Sequence, residues 1–361
     1  MFRTLCLLST SFGLALSAVA ATSPDCNADK VASFRVNNSF AVKVPPGTHT
    51  VRVWFTSPQE DAWTSVKDFA VKSDFPVSFD KDALGNRVGY IEIINPTQNE
   101  FTLNEKFDVT RREQRSAIDA SQTRPLTDAE RAALALYLQP TKYVVVNDRI
   151  KNLATSITGG EQNPILAARK LYDWTYKNVD YWVKDPEHHK ASAVGSTEYC
   201  LSSRTGNCSD FHSLFTSLAM SVGIPTRIVY GSLLKPVLNG ENTDASYHCW
   251  VEFFAPRLGW LPLDPAMANM YAENIALNDK NKRLVELTVP GVYHGAEKNK
   301  VDYYFGNLDD RRIVWSRGRD LMMQPAQDDG PVNALIKMYV EIDGKQSTDW
   351  TRKMTYEEIR G

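Results

Sequence analysis

The sequence predicts an α+β fold in three parts. An antiparallel β-sandwich comes first, then a core in which helices precede a strand hairpin, then a small β-rich extension. Three observations carry this. Residues 34–109 fall into short alternating apolar and polar runs, separated by Pro45-Pro46-Gly47, Gly85-Asn86 and Asn95-Pro96, the texture of a small sandwich. Apolar side chains then recur at helical spacing in three later stretches. Alternation returns in 247–254 and 259–263, joined by Ala255-Pro256-Arg257-Leu258, as in a hairpin.

The expected organisation is a signal peptide over 1–20, a sandwich over 21–110, a linker over 111–125, a core over 126–290 and an extension over 291–361. The first segment has Arg3, then an almost wholly apolar or small run from Leu5 to Ala20 ending in Ala18-Val19-Ala20, which reads as a secretory signal. The run is short for a membrane span of about 20 residues. The mature chain is therefore expected to be exported, periplasmic or secreted, with no membrane span. In the sandwich, strands are expected at 39–44, 48–55, 66–71, 76–79, 87–94 and 101–109, with Trp54 and Trp63 in its core. With 41 basic and 43 acidic side chains, the chain carries no charge excess that would mark a nucleic-acid partner.

Residues 111–124 are polar and charged, as in a linker. Thr127 and Glu130 form a capping box for a helix ending near Gln139-Pro140. Asn163-Pro164 opens another, with Ile165, Ala168, Leu171, Tyr172 and Thr175 on one face. Residues 181–205 read as an irregular loop walling a cleft. Asn207 caps a third helix, Asp210 answers it three residues on, and Gly223 with Pro225 ends it. Cys208 thus stands in the first turn, where free N–H groups and the helix dipole favour a thiolate.

Folding the hairpin about Arg257 sets Trp250 opposite Asp264 and makes His248 the diagonal neighbour of that aspartate. Asp264 can then orient His248, and His248 can take the proton of Cys208. On the same strand Cys249 alternates away from His248 and is expected to point into the core rather than at the nucleophile. Past Asp264, a helix is expected within 272–284 and strands at 302–305, 313–315 and 338–342.

These residues resemble the transglutaminase-like superfamily. The similarity rests on Gly206-Asn207-Cys208-Ser209-Asp210-Phe211, Gly223-Ile224-Pro225-Thr226-Arg227, His248-Cys249-Trp250-Val251-Glu252, Gly259-Trp260-Leu261-Pro262-Leu263-Asp264, and two later segments, Tyr304-Phe305-Gly306-Asn307-Leu308-Asp309 and Gly318-Arg319-Asp320-Leu321. It spans about 126–344 and is closest to the bacterial transglutaminase-like cysteine hydrolases. The resemblance implies a papain-like core with Cys208, His248 and Asp264 as catalytic triad, and an acyl-enzyme thioester resolved by a second nucleophile. With water as that nucleophile the chain hydrolyses peptide or amide bonds in a protein or peptide substrate. With a lysine amine it cross-links glutamine to lysine. A third reading, from another class, is a catalytically inactive binding module.

The Cys208 backbone N–H is one oxyanion donor by its place in the helix. The resemblance implies an aromatic partner upstream, for which Tyr199 and Trp182 are the candidates. His212, one helical turn beyond Cys208, and Trp250 and Trp260 are candidates for the cleft lining. A zinc site gathering Cys200, Cys208, His212 and His188 or His189 matches none of the usual paired ligand spacings, so no metal and no cofactor is expected. In an oxidising compartment, with Cys208 needed as a thiol, Cys26 and Cys200 are the natural disulfide pair.

Overall fold

Strand alternation in the N-terminal half produces two antiparallel sheets, and in the computed structural model, which describes residues 30–359, both of them recruit the far end of the chain. The first runs Trp350–Ile359, Val31–Lys43, Glu100–Arg112, Thr64–Ser73. The second runs Lys345–Ser347, Met338–Ile342, Thr50–Thr56, Arg87–Ile94, Ser78–Lys81. Their inner faces meet through Phe40, Val42, Val53, Phe55, Ile91 and Leu103, the interdigitated layer of a sandwich.

Two expectations change here. The strands at 338–342 and 350–359 do not extend the core; they pair with Thr50–Thr56 and Val31–Lys43 and complete the sandwich. Each offers an apolar face, Met338 and Val340 in one and Met354 and Tyr356 in the other, and the N-terminal sheets need that cover. The expected linker is also ordered. Strand Glu100–Arg112 runs through its start, and Arg111, fully buried, holds Thr64 Oγ1 at 2.7 Å and Asp61 Oδ1 at 3.4 Å. Glu113 and Gln114 are buried with it, Glu113 accepting from Tyr303 Oη at 2.7 Å.

The core is built on a four-stranded antiparallel sheet, Gly259–Leu263, Tyr247–Ala255, Thr226–Leu233, Arg312–Arg317. Helix Cys208–Ser221 lies against it, with helices Asp148–Thr158, Pro164–Asn178 and Pro265–Ala272 around that helix. Phe211, Leu214, Phe215 and Leu218 are wholly buried between sheet and helices, as the stripe predicts. Helix Pro164–Asn178 buries Ile165, Ala168, Leu171, Tyr172 and Thr175. The Thr127–Glu130 capping box forms, but the α-helix stops at Ala133 and continues as a 3₁₀ turn to Leu138.

Helix Thr197–Ser203 occupies part of the expected loop; Ser196 caps it and Arg204 ends it at φ 58°. Residues 302–305 are not a strand: helix Lys298–Tyr303 runs into them, supported by the Glu297–Lys300 ion pair at 2.7 Å. Tyr303, Tyr304 and Phe305 imitate strand composition, yet their rings pack against Tyr271, Tyr172 and Phe253 at a helix end. The two halves of the molecule meet on apolar surface, with Trp315 of the core sheet set edge-on against Phe107 of the sandwich at 6.1 Å.

The proposed signal peptide and Cys26 lie outside the described residues. Among those described, no helix is long and apolar enough to cross a membrane.

Candidate active site

Helix Cys208–Ser221 starts as its residues dictate. Asn207 Oδ1 accepts the Asp210 N–H at 3.2 Å and Asp210 Oδ2 accepts the Asn207 N–H at 3.0 Å, a reciprocal cap worth about 1 kcal/mol. Asp210 also accepts the Ser192 and Ser196 N–H groups at 3.0 and 2.8 Å, which ties the preceding loop to the cap. Gly206 has to be glycine, because a Cβ there would lie 2.4 Å from Asp210 Cβ. Cys208 is held in the first turn, 3% exposed, on a cavity of about 320 Å³ with Tyr181, Trp182, Val183, Tyr247, His248, Leu284 and Leu287.

The hairpin has the predicted register. Val251 pairs with Leu263 and Ala255 with Gly259, while Arg257 takes the turn at φ 70°. His248 Nε2 therefore reaches Asp264 Oδ2 at 2.7 Å, and His248 and Cys208 face the same cavity. Asp264 is fully buried and saturated with donors. Besides His248 it accepts Arg312 Nη1 at 3.0 Å on Oδ2, and His212 Nε2 at 3.3 Å and the Met267 N–H at 3.0 Å on Oδ1. The last of these makes Asp264 the cap of helix Pro265–Ala272.

Charge follows from this geometry. Burial alone would push the Cys208 thiol up, but hydrogen bonds from Cys249 and His248 and the positive charge of His248 outweigh it and hold the thiol well below its ordinary range. Burial likewise opposes the charged form of His248, yet the Asp264 carboxylate beside it lifts the imidazole to about 9. Asp264 in turn is held well below the usual carboxylate range against its burial, by His248, His212 and Arg312. The arrangement favours a thiolate–imidazolium pair over two neutral groups.

Cys208, His248 and Asp264 are thus brought together, and the other predicted residues are distributed differently. His212 does share a face with Cys208, but it is wholly buried and bridges Asp264 to Cys249, with Nδ1 3.1 Å from Cys249 Sγ. Cys249 is wholly buried in the core, with its Sγ 3.6 Å from Ser209 Oγ in the first turn of the nucleophile helix. Trp250 is buried beneath the Arg312 guanidinium, 5.0 Å from its ring centre. Trp260 packs on Tyr137 and Arg227. Neither lines the cavity.

Trp182 does line the cavity, whereas Tyr199 sits in helix Thr197–Ser203 and does not. The aromatic group at the Cys208 backbone is Tyr181, whose hydroxyl accepts the Cys208 N–H at 3.3 Å. Two short strands place it there, Asp180–Tyr181 running parallel to Thr205–Gly206. Arg312 was also not anticipated; it links Asp264 to Asp309, with Nη2 2.7 Å from Asp309 Oδ2. Cys200 is a free thiol, wholly buried. Among the described residues, no group of three or more His, Cys, Asp or Glu side chains is placed to hold a metal ion.

Residues 151–265 match the family model of the transglutaminase-like superfamily. The chain carries a transglutaminase-like domain. That domain takes in Cys208, His248 and Asp264 and closes at the first residue of helix Pro265–Ala272. An uncharacterized protein of Haemophilus influenzae is 26% identical over 228 residues, 58% of this chain and 57% of its own length. A protein-glutamine gamma-glutamyltransferase of Pseudomonas aeruginosa is 29% identical over 126 residues, 33% of this chain and 18% of that protein. The chain thus spans just over half of the first relative and under a fifth of the second. Among solved structures, a candidate cysteine protease from Cytophaga hutchinsonii superposes with a TM-score of 0.57 at 16% identity, covering 92% of each chain. The shared fold therefore extends beyond the transglutaminase-like domain to the sandwich.

Proposed function

We propose that this protein is a thiol acyl-transfer enzyme that hydrolyses peptide or amide bonds, acting after export. The observation that carries this is the relay from Cys208 through His248 to Asp264, with a 2.7 Å contact between the last two and a nucleophile at a helix N-terminus. The Cys208 thiolate attacks the carbonyl carbon. The carbonyl oxygen, gaining negative charge, takes over the Cys208 N–H now donated to Tyr181, and the Tyr181 hydroxyl turns to donate to it as the second oxyanion group. His248 gives its proton to the leaving amine, then draws a proton from water as the thioester is hydrolysed. Asp264 holds the His248 tautomer and the charge of its protonated form, and Arg312 keeps Asp264 ionised.

Water is favoured over a lysine amine as the second nucleophile by the character of the cavity. Its described lining includes Trp182, Val183, Leu284 and Leu287 and no acidic side chain that would pair with an ammonium group. The same apolar wall suits a hydrophobic side chain beside the scissile bond. Glutamine–lysine cross-linking is the competing reading, since one relative is a gamma-glutamyltransferase.

A casein substrate with a fluorescent alkylamine separates the two. New N-termini or released ammonia, lost in Cys208→Ala, is the expected result; amine incorporation in their place would establish the transferase. If purified protein gives neither product and iodoacetamide labels Cys208 no faster than a free thiol, the enzyme reading fails.

A further inference from the structure

A second cavity, of about 400 Å³, lies where the sandwich meets the core, and it shares no lining residue with the one around Cys208. Its volume is that of a small-molecule site. Tyr271 of helix Pro265–Ala272 and Tyr304 at the end of helix Lys298–Tyr303 stack in its wall, ring centres 6.3 Å apart. Both are buried, at 1% and 3% exposure, and neither hydroxyl has a hydrogen-bond partner among the described residues. Buried polar groups are as a rule hydrogen-bonded. Two phenols left open in one wall therefore mark a place where a bound molecule supplies the missing partners.

Most of the charges around them already have partners. Tyr303 donates to Glu113 Oε1 at 2.7 Å and Arg115 Nε to Glu113 Oε2 at 3.0 Å, while Lys300 pairs with Glu297, Arg311 with Glu358 and Asp309 with Arg312, each at 2.7 Å. Asp310 is different. It lines the cavity and makes no hydrogen bond or ion pair with another described residue. Burial and the charge of Asp309 beside it push its carboxyl up, a state that a donated hydrogen bond would ease. A strongly cationic ligand would meet Lys30, Arg115, Lys300 and Arg311 in the lining, and a strongly anionic one Glu113, Asp309 and Asp310. What the cavity offers is two phenol hydroxyls, one carboxylate, the Asn299 amide, and the apolar surface of Tyr303 and Pro290.

We propose that this cavity binds a neutral saccharide. Sugar hydroxyls give and accept hydrogen bonds, so one ring donates to Asp310 and meets the Tyr271 and Tyr304 hydroxyls in either sense. Its C–H face rests against Tyr303 and Pro290. The site depends neither on Cys208 nor on which bond the enzyme cleaves. It does touch the catalytic chain at one remove, because Asp309 in its wall holds Arg312, and Arg312 holds Asp264.

The test is isothermal titration of the full-length protein, wild type and Cys208→Ala, with maltose, cellobiose and N,N′-diacetylchitobiose, and with L-lysine and spermidine as charged probes. Expected is one-to-one binding of at least one of the saccharides, equal in the two proteins, and no binding of the charged probes. Asp310→Ala should weaken saccharide binding by about tenfold to a hundredfold, the loss of hydrogen bonds to a charged acceptor. Tyr271→Phe and Tyr304→Phe keep the ring and its volume and should each weaken it by about twofold to tenfold. Absence of binding by all three saccharides, binding indifferent to all three substitutions, or a preference for lysine or spermidine overturns the inference. Saccharide binding by a protein without acyl-transfer activity would leave it standing while the proposed function falls.

Discussion

Arg312 Nη1 lies 3.0 Å from Asp264 Oδ2, the same oxygen that His248 contacts at 2.7 Å, and both Arg312 and Asp264 are fully buried. A buried carboxylate facing only histidines would have every reason to take up a proton. The guanidinium removes that option and is itself matched by Asp309 on its far side. Arg312→Met should therefore leave the buried Asp264 and the partly buried Asp309 short of a cation. Urea unfolding is expected to show a loss of about 3–5 kcal/mol, the usual cost of breaking a buried pair from one side. A loss under about 1 kcal/mol, the size of an exposed pair, would mean that Arg312 does not support the aspartate.

Alkylation of Cys208 by iodoacetamide should be fast well below the ordinary thiol range, since the thiol is depressed against its burial by Cys249 and His248. The ion pair needs a protonated His248, so it is present from the Cys208 titration upward until the imidazole loses its proton near 9. The pH profile of kcat/KM is accordingly a bell with its alkaline limb close to 9. His248→Ala should move the alkylation midpoint up toward that of a free thiol. A wild-type profile that rises only above pH 8 would contradict the pair.

Tyr181→Phe removes one hydroxyl next to the Cys208 N–H. Loss of an oxyanion donor lowers kcat by about 10²–10³-fold, while alkylation of Cys208 by iodoacetamide, which develops no oxyanion, should change little. Tyr199→Phe, set in its own helix away from the cavity, should leave kcat unaltered. The opposite ranking would return the role to Tyr199.

In the sandwich, Glu105 is wholly buried and burial pushes its carboxyl up to about 8, against a hydrogen bond from Asn38 and the charge of Arg352. A carboxyl raised on folding binds its proton more tightly in the native state. Its contribution is fully present below the ordinary carboxylate range and is lost as pH rises through about 8. Thermal unfolding of the wild type should show Tm declining between the ordinary carboxylate range and about pH 8 and levelling off above it, and Glu105→Gln should flatten that decline. Equal slopes in the two proteins would refute the assignment.

Local signals predicted most of the site. Asn207 and Asp210 announce a helix start, and the hairpin about Arg257 places His248 beside Asp264 by counting residues across a turn. Each depends on chain neighbours alone. The caps at Ser196 and at Asp264 before Pro265 are equally local, although an aspartate before proline also reads as a turn. Tyr181 and Arg312 belong to a different order of information. Tyr181 reaches Cys208 through a parallel bridge to Thr205–Gly206, and Arg312 reaches Asp264 from the far edge strand of the core sheet. No period or spacing in the sequence encodes those meetings.

Ser33 pairs with Ile359 and Val42 with Trp350, so the strand that opens the sandwich has one of its two neighbours at the opposite end of the described chain. During synthesis Val31–Lys43 emerges early and must wait, with that edge open, until Trp350–Ile359 has left the ribosome. The transglutaminase-like domain is made in the interval and can fold first. The sandwich is in this sense the last part to close, and a chain stalled before residue 350 would carry a finished transglutaminase-like core beside an unpaired, aggregation-prone strand edge.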